Sequence, residues 1–222
     1  MALIDIRGVS KTYDSNGCVV QALKGIDLSI DEGELVAMMG PSGSGKSTLL
    51  SILGAMNPPT TGTVLVDGID LYGLSVEKRA DFRHEYIGFV FQQLQLIPYL
   101  TAVENVLLPL AISKRPHREQ EAMAFWALGR VGLEDKARRL PNQLSGGEQE
   151  RVAVARAIVN EPPLILADEP TGSLDTQTGE EVMRLFQSLN EDGLTIVLVT
   201  HNPENIRFVG RTIRIRDGRI AS

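Results

Sequence analysis

Glu34-Leu35-Val36-Ala37-Met38-Met39-Gly40-Pro41-Ser42-Gly43-Ser44-Gly45-Lys46-Ser47-Thr48 is the stretch on which the fold turns. It opens as a mostly continuous apolar run that stops at Gly40, the pattern of a strand buried on both faces of a parallel sheet. From Gly40 it follows the spacing of Gly, four residues, then Gly-Lys-Ser, and it leads into an apolar helix expected to begin near Lys46. Strand, glycine-rich turn and helix in that order make a cradle for phosphate. The glycines let backbone N–H groups converge on phosphate oxygens with no Cβ in the way, and the helix N-terminus adds partial positive charge. Gly40, Pro41, Ser42, Gly43, Ser44, Gly45, Lys46, Ser47 and Thr48 are therefore candidate nucleotide-binding residues. Lys46 would reach the β- and γ-phosphates and Ser47 would ligate Mg²⁺.

A nucleotide site of this kind needs a carboxylate for the metal, and Leu164-Ile165-Leu166-Ala167-Asp168-Glu169 offers two at the end of an apolar run. Asp168 would hold Mg²⁺ directly or through a water. Glu169, one residue on, could polarise an attacking water as a general base. Alone, such a strand end is as often a loop boundary as a metal site. Beside the phosphate cradle it reads as the second half of one site.

Further out, Leu3–Arg7 alternates, Val19–Ile30 is rich in β-branched and apolar residues with Gly25 as a bend, and Thr63–Val66 runs into an Asp67-Gly68 turn. Buried runs recur at Ile87–Phe91, Leu164–Ala167 and Thr195–Val199. Between the first two of these, from about Thr101 to Asn160, the chain is helix-rich, with Pro109, Pro116 and Pro141 as punctuation. Apolar residues at three- and four-residue spacing mark helices over Glu119–Arg130 and Glu148–Asn160. Arg211–Arg216 closes the pattern as a half-buried strand, with Ile213 and Ile215 facing inward and Arg214 and Arg216 on its solvated side. The expectation is an α/β core interrupted by a helical insertion.

Composition narrows the function. A chain of 222 residues with 43% hydrophobic content can bury a sizeable core in one globular unit. Twenty-two Lys and Arg against 28 Asp and Glu give a net charge of −6, which argues against a protein that coats nucleic acid. Cys18 is the lone cysteine, so neither an intrachain disulfide nor a cysteine metal cluster is expected, and a reducing compartment fits. The apolar runs fall far short of the ~20 residues of a membrane-spanning helix. The opening Met1-Ala2-Leu3-Ile4-Asp5 has the marks of no signal peptide.

Leu144-Ser145-Gly146-Gly147-Glu148, with a helix expected from near Gln149, resembles the signature motif of the ATP-binding cassette (ABC) ATPases. The order of motifs is also that family's: the phosphate loop, Gln92 after Gly88-Phe89-Val90-Phe91, the signature, Asp168-Glu169, Ser173-Leu174-Asp175, and His201. The resemblance spans essentially the whole chain. It implies an α/β P-loop NTPase with a mixed β core sheet, an N-terminal antiparallel β subdomain and an α-helical insertion subdomain. The single domain would divide into a nucleotide-binding core at 1–92 and 161–222 and a helical part at about 93–160. It also implies a head-to-tail homodimer holding two ATP molecules, with Mg²⁺, between the phosphate loop of one copy and the signature of the other. Ser145, Gly146, Gly147 and Glu148 would then touch the partner's nucleotide, the first three forming a second anion cradle at a helix N-terminus. Tyr13 resembles the aromatic that stacks on adenine, the alternative being an exposed strand tyrosine. Gln92 resembles the glutamine that reaches Mg²⁺ and the attacking water, His201 the histidine at the γ-phosphate, and Asp175 an acid at the dimer interface. Glu169, His201, Gln92 and Lys46 are the catalytic candidates, and Ser47, Gln92 and Asp168 the metal candidates.

A finer likeness rests on Phe89–Gln92, on Leu96–Leu110 and on Ala167–Asp175. These resemble the ATPases of bacterial lipoprotein-releasing and macrolide-exporting systems. That likeness implies a place on the cytoplasmic face of the bacterial inner membrane, beside a separate permease docked near Gln92–Leu110, with a periplasmic adaptor among the partners. Ile97, Tyr99 and Leu100 are divided between docking and core. Two other readings use the same chemistry: a cell-division type ATPase that regulates a periplasmic hydrolase, and an importer ATPase. The absence of a regulatory domain after Ser222 counts mildly against the latter. The chain departs from the group at Ser173, commonly Asn, at Glu148 and Glu150, commonly Gln, at Asn202, commonly Asp, and at Arg207–Arg211, which lacks the usual Ala-Asp-Arg. Glu148 and Glu150 put negative charge near an incoming γ-phosphate, so a weaker sandwich is expected.

Overall fold

In the computed structural model, which describes residues 2–15 and 18–221, the strand ahead of the phosphate loop lies between two strands parallel to it. The side chain of Cys18 falls outside what is described. The chain begins with a long antiparallel pair, β1 (Ala2–Ser15) and β2 (Cys18–Asp31), followed by β3 (Leu35–Met39), β4 (Thr61–Val66) and β5 (Ile69–Asp70). One antiparallel sheet has the order β2-β1-β4-β5.

The second sheet adds β6 (Ile87–Val90), β7 (Leu164–Asp168), β8 (Thr195–Val199), β9 (Arg211–Arg216) and β10 (Arg219–Ala221) in the order β10-β9-β3-β8-β7-β6. All its pairings are parallel except β9 with β10, so the sheet is mixed. Apart from Thr195 and Asp168 at strand ends, its central strands are apolar because successive side chains enter two different cores. Leu35, Ala37, Ile165, Ala167, Ile196 and Leu198 pack on one face, and Val36, Met38, Leu164, Leu166, Val197 and Val199 on the other. On β9, Ile213 and Ile215 are buried while Arg214 and Arg216 are exposed, as the alternation predicts.

Helices cover both faces. α1 (Lys46–Leu53) follows the phosphate loop and buries Leu49, Ile52 and Leu53 under the antiparallel sheet. α2 (Val76–Tyr86) precedes β6 and buries only Phe82, which is why no apolar stripe announces it. α3 (Ala102–Leu107), α4 (His117–Arg130) and α5 (Gly146–Ile158) pack on one another in the helix-rich stretch. α6 (Thr176–Glu191) lays Val182, Met183, Phe186 and Leu189 onto the other face of the sheet. α5 starts two residues earlier than its apolar spacing indicates, because Ser145 caps it and draws both signature glycines into the first turn.

Phe186 is wholly buried between α6 and the sheet. Phe186→Ala is expected to lower the free energy of unfolding by about 3–5 kcal/mol, read from urea denaturation. A loss below ~1 kcal/mol contradicts this packing.

Candidate functional site

The parallel order β3-β8-β7 carries three loops to the same end of the sheet. The phosphate loop leaves β3, the loop with His201 leaves β8, and Glu169 follows β7. Together with Gln92, which follows β6, they line a cleft of about 610 Å³ containing Gly40 through Thr48 and Ala22. Ligand sites at the carboxyl ends of parallel strands are the rule for open α/β sheets.

Gly45, which caps α1, has φ +104°, and a Cβ there would lie 2.6 Å from the carbonyl oxygen of Ala22. No other residue fits both demands. Lys46 is nearly buried, and its Nζ donates to the carbonyl oxygens of Gly40 at 2.8 Å and Pro41 at 2.9 Å, which sets the ammonium within the loop's own curve. Across the cleft floor, Ser47 Oγ donates to Asp168 Oδ1 at 3.3 Å. Burial raises the Asp168 carboxyl above its ordinary range; the Ser47 hydrogen bond opposes this, the neighbouring Glu169 adds to it and Lys46 again opposes it. A half-buried carboxylate beside a hydroxyl is a donor set for a small hard cation that completes its shell with phosphate oxygens and water. Among the described residues no three His, Cys, Asp or Glu side chains gather into a metal cage, so such an ion would depend on the nucleotide for most of its ligands.

Glu169 has left-handed backbone, φ +51°, held by its N–H on Val199 O at 2.9 Å and by the Gly172 N–H on its own carbonyl at 3.0 Å. Such a conformation costs on the order of 1–3 kcal/mol and persists only when its surroundings impose it. Its carboxylate Oε2 lies 2.6 Å from His201 Nδ1. With Nδ1–H donating, the second ring nitrogen is available to a ligand. Carboxylate, imidazole, ammonium and converging N–H groups within one cleft can hold a polyphosphate and position a water against its terminal phosphorus.

Tyr13 is an exposed residue of β1, and its hydroxyl accepts from Asn57 Nδ2 at 2.6 Å. Asn57 fixes this ring although nothing in its local sequence marks it. Ala22 carries no sequence signal either, because it contributes backbone to the cleft, not a chemical group. Asp175 caps α6, accepting from Thr178 N at 3.0 Å and Thr178 Oγ1 at 2.6 Å, and those bonds hold its carboxyl below the usual range.

Ser145, Gly146, Gly147 and Glu148 do not line the cleft. Ser145 Oγ accepts from the Glu148 N–H at 3.3 Å, and the Glu148 carboxylate accepts from the Ser145 N–H at 2.8 Å, a reciprocal cap. Gly147 leaves no room for a side chain, since a Cβ would stand 2.2 Å from the Thr178 methyl group. Ser145 and Gly146 are exposed. The two acids of this helix part company: Glu148 forms an ion pair with Lys136, while Glu150 is buried with Oε1 lacking a hydrogen-bond partner. Burial pushes the Glu150 carboxyl up to about 8.

Comparison with known proteins agrees with these motifs. A family model described as ABC transporter matches residues 23–172. The chain is 46% identical to the lipoprotein-releasing system ATP-binding protein LolD of Bacteroides fragilis, over 98% of this chain and 100% of that protein. It is 48% identical, over 98% of its length, to the macrolide export ATP-binding/permease protein MacB of Syntrophobacter fumaroxidans, of which it spans 31%. Its structure superimposes with a TM-score of 0.89 and 47% identity on a dimeric post-hydrolysis state of the ATP-binding cassette MJ0796 bound to ADP and Pi, covering 99% of this chain and 97% of that one. MJ0796 is a protein of Methanocaldococcus jannaschii.

Because Glu150 holds its proton to about pH 8 in the folded chain and ionises near 4.5 when exposed, folding is progressively penalised as pH rises between those values. Glu150→Gln removes the penalty. Its stability relative to the parent is expected to grow from pH 5 to pH 8, by at most ~1.4 kcal/mol per unit, and then to level off. A pH-independent difference in chemical denaturation contradicts the buried neutral carboxyl.

Proposed function

The chain belongs to the ABC transporter family and is an ATPase of the lipoprotein-releasing and macrolide-export type, and from that premise we propose that two copies hydrolyse ATP between them to drive a separate membrane permease. One observation carries the dimer: the exposed anion cradle at Ser145 and Gly146 stands outside the cleft that its own phosphate loop lines. A second copy, turned head to tail, supplies that loop. That the MJ0796 cassette is dimeric with ADP and Pi bound supports two copies acting together. In each copy, residues 1–92 and 161–222 bind nucleotide, and about 93–160 form the helical part that presents the signature.

The phosphate chain lies on the loop Gly40–Thr48, of whose residues only Pro41 lacks an N–H, with Lys46 between the β- and γ-phosphates, and Tyr13, exposed on β1, stacks on the adenine. Ser47 and Asp168 would hold Mg²⁺, with Gln92 within the same cleft, and the ion would supply positive charge against the phosphates. Glu169 takes a proton from the attacking water as its oxygen bonds to the γ-phosphorus and the bond to the β–γ bridging oxygen breaks. His201, oriented by Glu169, faces the γ-phosphate. Ser145 and Gly147 of the partner copy close the far side, so loss of the γ-phosphate loosens the dimer.

Permease docking falls to the segment after β6. Arg156 on α5 donates to the carbonyls of Leu94 at 2.6 Å and Gln95 at 2.9 Å, and the buried Asn105 bonds Ile97, Leu100 and Thr101. Ile97 and Leu100 are half-buried by this, whereas Tyr99 is 79% and Ile112 73% exposed. A groove of about 220 Å³ between α2, β6 and α5, with Phe89, Phe91 and Pro109 in its wall, shares Arg156 with this segment. Because Arg156 joins the Gln92 loop to the signature helix, a permease segment seated there would feel both nucleotide contacts. No helix among the described residues is long and apolar enough to cross a membrane, and a protein docked in this way works from the cytoplasmic face of the bacterial inner membrane. The cargo belongs to the permease.

Glu169→Gln is expected to bind ATP, to lose at least ~100-fold in turnover, and to run as an ATP-dependent dimer in size-exclusion chromatography; turnover near the parent rate removes Glu169 as the base. Affinity purification of the tagged chain from native membranes in mild detergent is expected to recover a multi-span protein by mass spectrometry. Tyr99→Asp with Ile112→Asp should cut that recovery at least tenfold. A parent chain that elutes without any membrane partner contradicts the docking.

A further inference from the structure

Glu148 places a carboxylate at the third position of α5, beside the N–H groups that would receive a partner's γ-phosphate. Left alone, that charge would repel the phosphate. Both of its oxygens are engaged. Oε2 accepts from the Ser145 N–H at 2.8 Å, and Oε1 pairs with Nζ of Lys136, which ends a short 3-10 turn (Glu134–Lys136) after α4. The two side chains are only 15% and 27% exposed, so solvent screens the pair weakly. The Lys136 bond, with the Ser145 N–H second, holds the Glu148 carboxyl below the usual range, in its ionised form.

We propose that Lys136 is a positioning residue for the signature: its ammonium cancels the Glu148 charge and keeps that carboxylate on the Ser145 N–H. The Ser145 hydroxyl, whose lone pair is taken by the Glu148 N–H, retains its proton for an incoming phosphate oxygen. Without Lys136, Glu148 faces the phosphate as a bare anion or swings off the cap and loosens the turn that carries Ser145 and Gly146. Either outcome weakens the ATP-bound dimer without touching the cleft of the same copy. This inference rests on the signature meeting the partner's nucleotide.

The test reads the ATP concentration at half-maximal dimerisation of the Glu169→Gln protein, by sedimentation velocity. Lys136→Met is expected to raise that midpoint at least fivefold, and Lys136→Arg, which keeps the charge, to stay within twofold. In a Glu148→Gln background there is no charge to cancel, so adding Lys136→Met should move the midpoint less than twofold. Thermal melts without nucleotide check that each variant folds, and Lys136→Gln replaces Lys136→Met if the latter does not. Equal shifts in the two backgrounds, or no shift in the first, overturn the role of Lys136. If the Glu169→Gln protein forms no dimer at saturating ATP, the sandwich reading fails and this inference with it.

Discussion

The 3.3 Å approach of Ser47 Oγ to Asp168 Oδ1 depends on two strands, separated by one other, that end at the same edge of the mixed sheet. β3 ends at the phosphate loop, β7 at Asp168, and β8 between them at the loop of His201. Side chains distant in the chain meet because the strands run in one direction and pair in one register, with Ala167 opposite Leu198 and Met38 opposite Val199. That register rests in turn on burial of both faces. A one-residue slip of β8 would send each apolar side chain into the opposite core and draw His201 out of line with Glu169.

Those parts of the fold that repeat a local physical rule were legible in the chain itself. Apolar runs bounded by Gly40, Asp168 and Thr200 marked the buried strands, and the spacing from Gly40 to Ser47 marked the cradle, because each pattern has few other physical uses. α2 was not legible, since a helix that buries Phe82 alone carries almost no periodic signal. α6, by contrast, carries a clear stripe through Val182, Met183, Phe186 and Leu189, so its periodicity is present in the chain. The left-handed backbone of Glu169 and the contact of Gly45 with Ala22 arise from tertiary packing, which no local spacing encodes.

Charge is the subtler lesson. A net charge of −6 belongs to a protein whose ligand is polyanionic, and the cleft meets that ligand with a glycine-rich loop and one lysine rather than with bulk charge. The two acids of α5 were expected to act alike on an incoming phosphate. They do not: Glu150 is buried with its proton retained to about pH 8, while Glu148 is ionised and held by Lys136 and the Ser145 N–H. Neither presents the free negative charge that their positions in the chain suggest. The signature is thus electrostatically quieter than its sequence, and the expected weakening of the nucleotide sandwich loses its physical basis.

The central claim, that the anion cradle of one copy completes the nucleotide site of another, is tested most directly by a crystal structure of the Glu169→Gln protein with ATP and Mg²⁺. The γ-phosphate is expected to lie within hydrogen-bond distance of Ser145 Oγ and Gly147 N of a second copy, with Lys46 of the first on its other side. A γ-phosphate contacted by residues of a single copy, with both signatures facing solvent, would contradict it.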